Sequence, residues 1–186
     1  PVVMTPNTYL YLDYFQGEPY LEPTGYKGHL PLRTVYSYEP GPEELNKDEQ
    51  SYIIGVQGNV WSEFTHSREK ADYLTYPRAA ALAEIAWSDK ANKDWEDFKR
   101  KLEAQYQRYE HKGINYSKSA YQVYFEVTDH IEQKRSTVTL HTDSHQPEIY
   151  YTLDGTVPTK ESLKYTGAFD TDTHVTIHAA TFRNGK

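Results

Sequence analysis

Two short apolar runs, VVM at residues 2–4 and YIIGV at residues 52–56, constrain this 186-residue chain more than any other feature. Both are short and rich in β-branched residues, the texture of strands buried on both faces. A stretch rich in proline and tyrosine, residues 17–50, separates them, and the helical pattern TYPRAAALAEIAW follows the second. Strand, long connection, strand, helix is the order produced by consecutive βα units, which present residues at the C-terminal ends of parallel strands. The connection is too long to be simple in a compact domain, so it is expected to be functional or to carry short helices.

Each run leads into an aromatic residue and an acid two positions apart. In TYLYLDYFQ, residues 8–16, an extended backbone puts Tyr9, Tyr11, Asp13 and Phe15 on one side. In GNVWSEF, residues 58–64, Trp61 and Glu63 share a side in the same way. A pyranose fits such a surface, because its C–H face packs on an indole or phenol and its hydroxyls donate to carboxylates. Core aromatics are the competing reading of Tyr11 and Trp61. A carboxylate on the same face weakens that reading, since an acid rarely enters an apolar core without a partner. The pattern alone leaves both open.

In the following helix Thr75 is the expected cap and Pro77 sits in the first turn, where its missing N–H costs nothing. Ala79, Leu82, Ala83 and Ala86 would share a face packed closely on a sheet. A second helix is expected over residues 94–109, with Trp95, Phe98, Leu102, Tyr106 and Tyr109 on one stripe and Gly113 just past its end. From about residue 120 the texture changes to short alternating segments, QVYFEV, TVTLHT, EIYYTL and HVTIHAATF, separated by polar turns. Val138, Leu140, Ile149, Tyr151, Val175 and Ile177 are the expected core of a small antiparallel β-sandwich.

A formal charge of -7 argues against a nucleic-acid partner, which would require clustered Lys and Arg. No run of about 18 apolar residues is present to span a bilayer. The absence of cysteine removes disulfides and thiolate chemistry. The chain opens at PVVMTP and closes at Asn184-Gly185, a hairpin-turn dipeptide with no strand after it, so a fragment cut at both ends is expected. Unpaired strand edges in such a fragment would favour self-association.

VVMTPNTYLYLDYFQ, IIGVQGNVWSEF and YPRAAALAEIAWS, in that order, resemble the last third of the catalytic barrel of family 20 glycoside hydrolases, the β-N-acetylhexosaminidases. IYYTLDGTVPT, Tyr165 and VTIHAATFRNGK are similar to the small β domain at the C-terminus of bacterial hexosaminidases. The resemblance implies an α+β fragment: the last two βα units of a (β/α)8 barrel over residues 1–112, then a β-sandwich over residues 113–186, itself truncated. It implies a glycan substrate ending in N-acetylhexosamine, no cofactor or metal, and a periplasmic or extracellular location. The family uses substrate-assisted retention, in which the sugar's own 2-acetamido carbonyl attacks the anomeric carbon. Carried over position by position, Tyr11 is catalytic through holding the acetamido oxygen, Asp13 and Glu63 bind hydroxyls, and Trp61 lines the pocket beneath the ring.

The family's catalytic Asp-Glu pair, found in a His-x-Gly-Gly-Asp-Glu context, is missing. Asp48-Glu49 lacks the glycines and reads as a solvated surface pair. The fragment is therefore expected to be inactive. Arg78 and Glu84 are expected in structural ion pairs, Trp87 and Trp95 in core packing, and Asp154-Gly155 in a turn. His141 with His145, and His174 with His178, have helical metal spacing in strand-like texture, which speaks against a metal site. The reading from another class is a non-catalytic carbohydrate-binding or structural module centred on the β tail.

Overall fold

The computed structural model describes residues 1–172 and 174–183 and divides into two units, 1–120 and 121–186. The Asn184-Gly185 turn read from the sequence lies outside the described residues. No described helix is long and apolar enough to cross a membrane.

In the first unit, β1 (Val2–Met4) pairs in parallel with β4 (Ile53–Val56), the two strands expected from the apolar runs. The segment between them carries β2 (Tyr14–Phe15) and β3 (Tyr26–His29), also parallel, and three short helices, α1 (Asn7–Leu10), α2 (Leu32–Ser37) and α3 (Lys47–Gln50). Val2, Val3 and Ile54 are exposed, contrary to the expectation of strands buried on both faces, because β1 and β4 form a sheet of only two strands.

The helical pattern after β4 is two helices, α4 (Arg68–Thr75) and α5 (Arg78–Trp87). Thr75 closes α4 instead of capping α5. Tyr76, preceding a proline, is extended, and Pro77 caps the new helix. The buried face of α5 is Arg78, Ala81 and Ile85, whereas Ala83 and Ala86 are exposed. Gly58 explains the close approach of α5 to the segment after β4: a Cβ there would meet Leu12 and Leu82 side chains at 3.0 Å.

Helix α6 (Trp95–His111) is capped by Asp94, which accepts from the backbone of Glu96 and Asp97. Its buried stripe is Phe98, Lys99, Leu102, Tyr106 and Tyr109. Gly113, at φ +64°, ends it in a Schellman arrangement, with the N–H of Ile114 donating to Tyr109 O and that of Gly113 to Glu110 O. The first unit continues beyond Gly113 to Ala120, because Ser117 N–H bonds to Tyr76 O, Asn115 reaches Glu69 O and Tyr116 stacks on Tyr106. Trp95 packs against Tyr36 and Phe98 as expected. Trp87 does not enter the core: it is 91% exposed at the last residue of α5, beyond the buried Ile85.

The second unit contains two three-stranded antiparallel sheets. One orders β5 (Tyr124–His130), β6 (Arg135–His141) and β9 (Phe169–Thr171); the other orders β10 (His178–Phe182), β7 (Glu148–Thr152) and β8 (Leu163–Lys164). Both sheets contribute to one apolar cluster of Val138, Leu140 and Ile149, with Tyr151, Phe169 and Ile177 against it. Val175 is half-buried and outside that cluster. Asp154 accepts from Thr156, and Gly155 takes φ +78° with its N–H on Thr176 O, which makes the expected turn.

Candidate functional site

The residues after β1 and those after β4 are joined by backbone. Leu12 N–H donates to Asn59 O at 2.6 Å, Asn59 N–H donates to Leu10 O at 2.8 Å, and Tyr11 and Asn59 form a parallel bridge. Side chains extend this joint: Asn59 Nδ2 donates to Thr5 Oγ1 and its Oδ1 accepts from Gln57 Nε2. The joint sets Tyr11 beside Trp61, their rings in edge contact with centroids 5.7 Å apart.

Tyr11 meets Trp61, and the Asp13 carboxyl lies within electrostatic reach of Glu63, but not through an extended strand. Asn7–Leu10 is a helical turn, Leu12 and Asp13 lie in a turn, and Trp61 precedes a 3-10 turn, Ser62–Phe64. Period-two alternation therefore does not govern either segment. Tyr9 leaves to stack on Tyr38 at 5.0 Å, and Phe15 packs at Gly25. Tyr11, Asp13, Trp61 and Glu63 remain, with Tyr14 edge-on to Tyr11 at 6.0 Å.

Exposure separates the four. Trp61 is 47% exposed and Glu63 is exposed, while Asp13 is 6% exposed and its Oδ1 has no hydrogen-bond partner among the described residues. Burial pushes the Asp13 carboxyl pKa above its ordinary value and the Glu63 charge adds to this; its own backbone N–H and the Arg78 charge act the other way. A buried carboxylate oxygen without a donor is a strong acceptor awaiting one. A half-exposed indole, a phenol and two acids at one place can present an apolar platform and hydrogen-bond acceptors to the same small polar molecule.

Residues 1–90 match the catalytic domain of glycosyl hydrolase family 20, and residues 132–186 match the chitobiase/beta-hexosaminidase C-terminal domain. A beta-hexosaminidase of Porphyromonas gingivalis is 40% identical over 166 residues, which are 89% of this chain and 21% of that protein. The family 20 exo-beta-N-acetylglucosaminidase of Vibrio harveyi, solved with N-acetylglucosamine, superposes with TM-score 0.53 at 31% identity over 63% of this chain and 19% of its own. The family 20 beta-N-acetylhexosaminidase of Streptomyces coelicolor gives TM-score 0.55 at 26% identity over 63% of this chain and 24% of its own. The chain thus spans about a fifth of the length of the curated relatives it matches.

Two residues that shape this site were not identified from the sequence. Asn59 lies inside GNVWSEF between Gly58 and Val60, and nothing local marks it as buried. Arg78 is fully buried and forms no ion pair among the described residues; it donates to the backbone carbonyls of Leu12, Tyr14, Leu30 and Leu74. The expected ion pair is corrected for Arg78. For Glu84 it holds, with Lys101 Nζ at 3.1 Å. The Asp48-Glu49 pair is exposed, and Glu49 is engaged in a capping box, accepting from Asn46 N–H at 2.9 Å.

Proposed function

We propose that this chain supplies the last two βα units of a (β/α)8 barrel and a C-terminal β-sandwich to a β-N-acetylhexosaminidase, and with them part of its sugar pocket. The observation that carries the proposal is the convergence of Tyr11, Trp61, Asp13 and Glu63 at the backbone joint. Tyr11 donates to the acetamido oxygen of the sugar, Asp13 and Glu63 accept from its hydroxyls, and Trp61 packs on its C–H face. The acetamido oxygen attacks the anomeric carbon as the C–O bond to the leaving group breaks, and a carboxylic acid outside this chain protonates the departing glycosidic oxygen. Water then opens the oxazolinium ion and restores the acetamide with retained configuration. Tyr11 acts most when charge develops on the acetamide, so it contributes more in the transition state than in the ground state.

The test uses an aryl N-acetylglucosaminide. The 186-residue chain alone should release no phenol above background. In the full-length protein Tyr11→Phe should lower kcat by roughly 100-fold, the usual effect of losing one donor to developing charge, with KM little changed. Turnover by the chain alone, or an unaltered kcat in Tyr11→Phe, would overturn the proposal.

A further inference from the structure

Resting on the reading above, we infer that Arg78 is a positioning residue for Asp13, holding the turn that presents this carboxylate to the sugar. Its guanidinium donates from Nη2 to Leu12 O and from Nη1 to Tyr14 O at 3.0 Å, the carbonyls on either side of Asp13. The same two nitrogens reach Leu30 O at 2.9 Å and Leu74 O at 2.7 Å, so the turn is tied to the start of α2 and the end of α4. From the other direction, Leu12 N–H is held by Asn59 O. The backbone around Asp13 is thus fixed from two sides while the carboxylate's Oδ1 stays without a protein donor.

Burying a guanidinium against neutral carbonyls, with no ion pair among the described residues, is a costly way to fill a helix face, and an apolar side chain would fill it more cheaply. What the cation adds is a planar fork able to reach several carbonyls at once, and a positive charge near a buried acid. Burial lowers the Arg78 pKa to about 9, which leaves it charged at neutral pH, where its field favours ionised Asp13. Lysine would keep the charge but not the fork. Behind Arg78 a further layer holds the segment after β2: Gln16 Nε2 donates to Tyr73 O, and Glu22 accepts from Gly17 N–H and from the Tyr73 hydroxyl.

The experiment is a double-mutant cycle in the full-length protein with the aryl N-acetylglucosaminide. Asp13→Asn should lower kcat/KM by roughly 10- to 100-fold, the range for a hydrogen bond to a charged group. Arg78→Lys should lower it by about 10-fold or more, and the double variant should be no worse than Asp13→Asn alone, because both changes remove the same contact. Multiplying losses would show that Arg78 acts on the fold in general and would overturn the inference. If Asp13→Asn alone leaves kcat/KM unchanged, the sugar-binding reading of Asp13 fails, and the inference with it. An effect of Asp13→Asn with none of Arg78→Lys sinks the inference and leaves the reading intact. Arg78→Gln serves the same cycle if the lysine variant does not fold, and failure of both to fold assigns Arg78 to stability and overturns the inference.

Discussion

Both units bury an apolar core, that of the first including Leu10, Leu30, Val35, Phe98 and Leu102, but they differ in the polar groups beside it. In the first, Asp13, Gln16, Asn59 and Arg78 are inside, while Val2, Val3 and Ile54 on the parallel pair are exposed. In the second, Val138, Leu140 and Ile149 are inside with the short polar run Thr142, Asp143 and Ser144, and the ion pairs Arg135 to Asp170 and Lys164 to Glu148 lie at the surface. The apolar cluster of the second unit is what hydrophobic burial builds unaided. The buried polar groups around Asp13 are not, since a buried acceptor without a donor costs stability. The contrast teaches where to look for function: a buried carboxylate oxygen kept without a donor, as at Asp13, marks a place shaped to meet a ligand.

The largest effect expected from this contrast is in the apolar cluster. Leu140→Ala should destabilise the second unit by about 2 to 5 kcal/mol, the cost of removing a buried leucine side chain. Hydrogen exchange at the amides of β6 and β7 would report it as lost protection. Ile54→Ala, at an exposed position, should fall within about 0.5 kcal/mol. Its readout is urea unfolding followed by tryptophan emission, because Trp61, Trp87 and Trp95 all lie in the first unit. Equal losses from the two variants would break the comparison.

The same contrast explains what the sequence made legible. Local periods sufficed for α6 and for β6 of the second unit, where one buried face repeats at the spacing of the element itself, while β1 and β4 were legible as short apolar runs. Local alternation failed over residues 7–16 and 58–64, where the site is built. The order of Tyr11, Asp13, Trp61 and Glu63 suggested a shared face for each pair, and the residues do converge. The cause is the pairing of Leu10 and Leu12 with Asn59, nearly fifty residues on, which no local alternation encodes. Arg78 was unreadable for a similar reason. Its partners are main-chain carbonyls, which carry no side-chain signature, so a charge on a helix suggested a carboxylate partner that is not there. Helix α4 was missed because Pro77 drew attention to the start of α5 and the polar face of residues 68–75 offered few apolar repeats.

A mid-sized effect sharpens the comparison through pH. Burial raises the Asp13 pKa in the folded chain, so the folded state binds its proton more tightly than the unfolded state does. Stability from this group is therefore fully present below the ordinary aspartate value of about 3.9 and is lost as pH rises through the raised folded value. Asp13→Asn removes the charge that must be buried at neutral pH. The variant should be more stable than the native chain at pH 7 by on the order of 1 kcal/mol, the low end of the cost of an unpaired buried polar group. The gain should shrink as pH falls, because the native carboxyl is then protonated. Urea midpoints from tryptophan emission across that pH range measure it. Destabilisation by Asp13→Asn at neutral pH would mean that the buried acid supports the fold, and the first unit would no longer stand apart from the second.

The smallest effect tests the surface of the second unit. Asp170 joins β9 to β6 twice by side chain, accepting from Arg135 Nη1 at 2.5 Å and from Thr137 Oγ1 at 2.6 Å. Both charged partners are close to half exposed, so water competes for each and the attraction is screened. Exposed ion pairs contribute about 0.2 to 1 kcal/mol, and Thr137 can return its hydroxyl to solvent once Asp170 is gone. The backbone pairing of Thr137 with Asp170 survives the substitution, since it needs no side chain. Asp170→Ala should therefore cost less than about 1 kcal/mol, read as a small loss of amide protection in β6 and β9. The loss should diminish further near 1 M salt, where the screening length falls to about 3 Å. A cost approaching that of Leu140→Ala, and insensitive to salt, would show that the second unit depends on polar contacts as the first does around Asp13 and Arg78. The opposition between an apolar scaffold and a polar site would then have to be abandoned.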